Sequence, residues 1–399
     1  MFTEKQLDRY ADVLLWGLKT ARTAKYNKSD IILIRYDKLA VRLAEILFAK
    51  LMKMGMNPIQ RMNFTTRTEL DFYQLANRRQ LVFQPPGDKE LFKNLNGSIF
   101  LHSPESLTHL SNIDPKKIGT VAVARKYLRD ILDKREEEGV LGWTLCIFPT
   151  NELARHAGLT LKEYTNQIIK ACFLNRTSPV SHWRTVYRKV TAIKKWLNSL
   201  KVNRYHIESE NIDLEITPGE KRKWVGISGH NIPSFEIFTT PDWRGTRGRY
   251  FANLPSFRSG NTVEGVKLEF KKGAAVKVEA QKGEQFVKKQ LLIDKGANKL
   301  GEFSLTDKRF SRIDTFMANT LFDENFGGKY GNCHVALGSS YSDAYDGDPK
   351  GLTKKAKQRL GFNDSALHWD LVNTEKKRVA ALLASGKKIT IYENGKFKY

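Results

Sequence analysis

The chain has 399 residues, of which 41% are hydrophobic, including 7 Trp, 14 Tyr and 22 Phe; this is enough apolar mass for a large core and excludes a disordered chain. A formal net charge of +24 admits attraction to nucleic acid, an anionic membrane or acidic peptides, but the Lys and Arg are spread along the chain as on a basic solvated surface. Three separated cysteines, Cys146, Cys172 and Cys333, make neither a disulfide framework nor a zinc ribbon and favour a reducing compartment.

The length predicts two domains. MFTEKQLDRYADVLLWGLKTAR opens the chain as a helix, with Leu7, Tyr10, Ala11, Leu14 and Leu18 at helical spacing and Thr3 and Gln6 placed for a capping box. It does not read as a signal peptide, and no apolar run is long enough to span a membrane, so a cytoplasmic protein is expected. IILIRY at 31–36, the amphipathic run DKLAVRLAEILFAKLMKMG and NPIQRMNF make a strand, helix, strand crossover, which calls for a parallel sheet. SIFLH at 98–102, TVAVA at 120–124 and WTLCIFP at 143–149 read as further strands, with YLRDILDKREEEG and NELARHAGLTLKEYTNQIIKACF as helices. Met52, Met54, Met56 and Met62 read as core or edge packing. No G-x-G-x-x-G motif or P-loop follows any strand, so this half carries no evident nucleotide site.

SHWRTVYRKVTAIKKWLNSLKVN is a basic amphipathic helix with Val186, Val190, Ile193, Trp196 and Leu197 on one side. After it the rhythm changes, and the domain boundary is expected near residue 200. The second half reads as strands: RYHIESENIDLEITPG, KWVGISG, EIFTTP, VEGVKLEF, AAVKVEAQ, FSLTD, CHVALG, ALHWDLV and KITIYENGKF. Turns at Lys272-Gly273 and Asn394-Gly395 suggest antiparallel or mixed sheets. One helix, GEQFVKKQLLID, interrupts them. The fold class is therefore α/β, an N-terminal open α/β domain with a largely parallel sheet (1–200) followed by a mixed α+β, strand-rich domain (201–399). Residues 350–399 are denser in basic residues, with 12 Lys/Arg against 4 Asp/Glu.

Metal-ligand chemistry concentrates in the second half. His334 and His368 lie among Glu324, Tyr341 and Asp370, the residue types of a hydrolytic metal centre. In SALHWDLV the apolar Leu367, Trp369 and Leu371 alternate with His368 and Asp370, so both polar side chains face the same way. Glu236 in NIPSFEIFTTP and Glu302 in KLGEFSL sit inside apolar strands, where a carboxylate is costly unless paired or bound to a metal. Taken singly, each is as well explained as a satisfied core or edge residue; the set and its order carry the metal reading. Cys333 would point away from His334, which argues against a Cys nucleophile. The H-E-x-x-H helix of single-zinc endopeptidases is absent.

The series NIPSFEIFTTP, LGEFSL, NTLFDEN, HVALGSSY and LHWDLV resembles the motif series of the aminopeptidase T, aminopeptidase S and PepS family of metallo-aminopeptidases. The likeness extends more weakly through WTLCIFPT, SPVSHW and IDLEITPG. It implies that Glu236, Glu302, His334, His368 and Asp370 ligate two divalent cations (zinc, cobalt, manganese or magnesium), with Glu302 as the bridge. It also implies that Glu324 is a further ligand or the general base and Tyr341 the active-site tyrosine. The chain departs from the family pattern in two places. Phe235 stands where P-x-G-E has Gly, which would narrow or reshape the pocket, and FGGKYGN separates Glu324 from His334.

The expected activity is metal-dependent removal of N-terminal residues from peptides by a two-metal activated water, in a cytoplasmic homodimer. Two other classes remain open on residues alone. One is a basic nucleic-acid-binding protein with a vestigial site, and the other is a protein with a closed, structural metal site.

Overall fold

A computed structural model describes residues 1–348 and 351–399. The chain divides into two compact units. The first comprises Met1–Val186, Ile227–Ser234 and Met317–Leu321, and the second Tyr187–Gly226, Phe235–Phe316 and Phe322–Tyr399. The division falls inside the helix Pro179–Ser199, some residues before the change of rhythm at 200.

In the first unit five strands pair in parallel, in the order Asn57–Met62, Ile31–Tyr36, Gly97–His102, Gly142–Ile147 and Asn231–Ile232. Central strands of such a sheet are covered on both faces, which explains their continuous apolar runs. The opening helix, Glu4–Thr20, has the predicted capping box between Thr3 and Gln6, and Leu7, Tyr10, Ala11, Leu14 and Leu18 are all buried.

TVAVA at 120–124 is not a strand. It lies within the helix Pro115–Glu137, which Asp114 caps through the backbone N–H of Lys116 and which has Pro at its first position. Ile118 and Val121, three apart, are buried, while Val123 is exposed; the five-residue run masked a helical period. The four methionines read as core or edge packing divide between these places. Met56 is buried, but Met52 and Met62 are 53% and 54% exposed, because Met62 lies on the edge strand and Met52 on an outer face of the helix Val41–Lys53.

Among the described residues the second unit holds two large antiparallel sheets and a two-stranded one, Ser256–Arg258 with Asn261–Val263. The larger has eight strands in the order Ala274–Glu279, Val266–Lys271, Asp242–Ala252, Asp213–Thr217, Val202–Glu208, Arg378–Leu383, Lys388–Glu393 and Lys396–Phe397. Both predicted hairpin turns form, with positive φ at Lys272, Gly273, Asn394 and Gly395, as a type I′ turn requires. VEGVKLEF is two strands rather than one, Asn261–Val263 and the strand from Val266, because Gly265 turns the chain at φ +63°. Asp242–Ala252, rich in Arg and Gly, and Arg378–Leu383 are strands with no clear alternation in sequence.

The smaller sheet has the order His368–Asn373, Asn332–Gly338, Leu300–Thr306, Glu236–Thr239 and Val225–Gly226. Residues directly opposite one another on antiparallel strands share a face. Glu302 pairs with Ala336 and Ala336 with Asp370, while Ser304 pairs with His334 and Phe238. One face therefore carries Glu236, Glu302, Ser304, His334, His368 and Asp370. The other carries Ile237, Phe303, Leu305, Val335, Leu337, Trp369 and Leu371, all buried.

That apolar face packs on the larger sheet. Trp224 and Tyr205 set their rings 5.6 Å and 6.1 Å from Phe303. The hydroxyl of Tyr250 donates to the carbonyls of Leu371 at 2.7 Å and Cys333 at 3.2 Å. Tyr250 thus ties the larger sheet to the two strands that carry both histidines. Tyr250→Phe is expected to cost about 1–2 kcal/mol, read as a lower urea midpoint of the second unit; an unchanged midpoint would contradict this tie.

Candidate metal centre

Each candidate side chain is brought to the site by strand geometry. Glu302 follows a bulge at Gly301, where the register against the neighbouring strand shifts. A Cβ on Gly301 would collide with the carbonyl oxygens of Gly338 and Ser339, so only glycine allows this approach. Ala336, the small residue between Glu302 and Asp370 in the cross-strand row, leaves space between the two carboxylates.

The distances are short. His334 Nε2 lies 3.0 Å from Glu302 Oε1, 3.3 Å from Glu236 Oε2 and 3.8 Å from Asp370 Oδ1. His368 Nε2 lies 3.3 Å from Asp370 Oδ1. Ser304 donates its hydroxyl to Glu236 Oε2 at 3.0 Å. His368 Nδ1 is 2.8 Å from the carbonyl of Ser339, so Nδ1 donates to that carbonyl and Nε2 is turned toward Asp370. The ring of Tyr341 packs 4.6 Å from that of His368. The backbone of Tyr341 is held by the hydroxyl of Thr240, which accepts its N–H and donates to its carbonyl, both at 3.2 Å.

All seven residues predicted from sequence lie in the second unit, and six of them fall into three sets whose ligand atoms lie within 4.8 Å of one another. These are Glu236, Glu302 and His334; Glu302, His368 and Asp370; and Glu324, His334 and Asp370. The interval between Glu324 and His334 does not displace Glu324. Gly331 N–H bonds to the carbonyl of Gly327 at 2.7 Å, closing the extra residues on themselves. Asn332 and Thr306 donate to the carbonyl of Glu324 at 3.0 Å and 3.1 Å. Phe235 is fully buried.

Sequence reasoning overlooked Ser304, Ser339 and Asn325. Ser304 was legible, being two residues from Glu302 and so on its face. Asn325 adjoins Glu324. Ser339 acts through its main chain, which no side-chain pattern reports.

The electrostatics are unbalanced without a cation. Burial, with the charges of Glu302 and Asp370 adding to it against the pull of His334, raises the Glu236 carboxyl to about 8. Burial also pushes Glu302 well above the usual carboxylate range, with Asp370 and Asp343 adding to the effect against His368. At Asp370 burial acts in the same direction, but His368, His334 and Arg258 outweigh it and hold the group at about 2. Asp370 Oδ1 is nonetheless buried with no hydrogen-bond donor. An ionised oxygen with no donor, beside two carboxyls whose protonation burial favours and two imidazole nitrogens, is the donor set that divalent cations satisfy.

The family model of thermophilic metalloproteases (M29) matches residues 3–397. The chain belongs to this family. Aminopeptidase T of Thermus aquaticus is 29% identical over 306 residues, 72% of this chain and 73% of that protein. Aminopeptidase AmpS of Bacillus subtilis is 28% identical over 340 residues, 79% of this chain and 80% of that protein. The structure of wild-type AmpT from Thermus thermophilus matches the fold with a TM-score of 0.80 at 23% identity, covering 99% of this chain and 100% of that one. Membership makes the protein a metal-dependent peptide hydrolase, and the donor set fits that requirement. Among the described residues no helix is long and apolar enough to cross a membrane.

Metal binding needs carboxylates, whereas burial raises the Glu236 carboxyl to about 8 and shifts Glu302 in the same direction. Uptake of a divalent cation at pH 7 is therefore expected to release protons, and affinity should weaken as pH falls. Titration calorimetry in two buffers of different ionisation enthalpy checks this; identical apparent enthalpies would contradict it.

Proposed function

We propose that the protein is a metal-dependent aminopeptidase that removes N-terminal residues from peptides, using two divalent cations held on the polar face of the five-stranded sheet. One observation carries this reading: the set Glu236, Glu302, His334 and the set Glu302, His368, Asp370 share Glu302 alone. A carboxylate common to two otherwise separate ligand sets is what a bridge between two cations requires. The mixed imidazole and carboxylate donors suit zinc, cobalt, manganese or magnesium.

When bound, the cations would lower the pKa of a water toward about 7 and polarise the scissile carbonyl. The remaining steps belong to the chain. Glu324 takes the proton of the attacking water and delivers it to the leaving amine. Tyr341, whose ring packs tilted against His368, donates a hydrogen bond from its hydroxyl to the substrate oxygen as negative charge develops there. Ser304 and the Ser339 carbonyl hold Glu236 and His368 in place. A site carboxylate receives the free α-amine, which registers the first peptide bond and rejects blocked peptides. A homodimer in the cytoplasm goes with this reading. The nucleic-acid alternative gains no support from the family or from the site.

Chelation is expected to abolish hydrolysis of aminoacyl-arylamides, and zinc, cobalt, manganese or magnesium to restore it, with N-acetylated substrates untouched throughout. Glu302→Ala and His334→Ala should each lose at least about 100-fold in rate together with bound metal; parental rate and metal content in both would refute the assignment. Tyr341→Phe should lower kcat by about 100-fold with KM little changed. An equal kcat would remove the tyrosine from the mechanism.

A further inference from the structure

Asn325 is fully buried beside two of the candidate site residues. Its side-chain oxygen accepts the backbone N–H groups of Phe235 at 2.5 Å and Glu236 at 3.1 Å. Its Nδ2 donates to Glu324 Oε1 at 3.3 Å. The orientation of the amide is forced, because a flipped group would aim its N–H bonds at two backbone donors. With both lone pairs of the oxygen used on the Glu236 strand, the amine end must face Glu324.

The two neighbours need such a link. Glu236 and Glu324 are both buried acids, and each stands in a ligand set with His334. The main chain of Glu324 is already anchored to the Leu300–Thr306 and Asn332–Gly338 strands through Thr306 and Asn332. The Asn325 carbonyl accepts the hydroxyl of Ser311 at 2.5 Å. The Asn325 amide connects the Glu324 carboxylate to the backbone at Phe235 and Glu236.

We propose that Asn325 is a positioning residue for the hydrolytic step, a brace that aims the carboxylate of Glu324 by fixing it to the backbone at Phe235 and Glu236. The inference rests on the base role proposed above for Glu324. A residue that only held the loop would act through its acceptor; the brace acts through its donor.

Asn325→Asp separates the two functions, since a carboxylate still accepts both backbone N–H groups but no longer offers the amide donor. Asn325→Ala removes both. The experiment measures kcat, KM, melting temperature and metal per chain for these variants, alone and with Glu324→Gln. Asn325→Asp, which adds a buried acid beside Glu324, is expected to stay folded and to keep parental metal content and KM while lowering kcat by at least about tenfold. On the Glu324→Gln background, where there is no base left to aim, the same change should cost less than about threefold. A full tenfold loss on both backgrounds, or parental kcat in Asn325→Asp, would overturn the brace. Parental kcat in Glu324→Gln would instead overturn the base role beneath it. If Asn325→Ala fails to fold, the Asn325→Asp cycle alone decides the matter.

Discussion

Two carboxyl groups buried against an imidazole at 3.0 Å and 3.3 Å are a standing cost to the fold. Removing an ionised carboxylate from water costs several kcal/mol even after relaxation, and at this site burial drives both carboxyls toward the protonated form. Glu236 and Glu302 are pushed up by burial, while Asp370 stays ionised with an oxygen that no donor reaches. A divalent metal held by these residues would resolve both conditions, taking the place of protons on the carboxyls and satisfying the oxygen. The rest of the second unit can be understood as the scaffold that makes such an arrangement affordable.

That scaffold depends on the strict two-residue period of antiparallel strands. Every strand that contributes to the site has an apolar alternate set, from Ile237 through Phe303, Leu305, Val335 and Leu337 to Trp369 and Leu371, buried against the larger sheet. Slipping any one of these strands by a residue would send its ligands into the core and its hydrophobic side chains into the site. The apolar face thus fixes the position of the polar one. The bulge at Gly301 and the tether from Tyr250 to the two histidine strands refine the same register.

Much of this was legible in the sequence. The H-x-D pair at His368 and Asp370 declared a common face, and Glu236 and Glu302 stood out as carboxylates in apolar strands. Their convergence was not derivable from spacing; it came from resemblance, because the pairing of distant strands leaves no local signal. Parallel strands with long apolar runs and the two hairpin turns with Lys-Gly and Asn-Gly were also readable. TVAVA was misread because five β-branched and small residues satisfy two periods, and the Asp-Pro helix start lies outside them. Asp242–Ala252 and Arg378–Leu383 escaped notice because neither shows a clean alternation. The supporting groups were the least visible: the Ser339 carbonyl has no side-chain signature, and Asn325 is recognisable only once its two neighbours are known to face each other.

The central claim is that the polar face of the five-stranded sheet holds a pair of cations around Glu302. Anomalous diffraction at the zinc edge from zinc-loaded crystals tests it most directly. The account predicts two peaks about 3.5–4 Å apart, one beside Glu236 and His334 and the other beside His368 and Asp370, with Glu302 touching both. A single peak enclosed by four protein ligands, or peaks remote from Glu302, would contradict it.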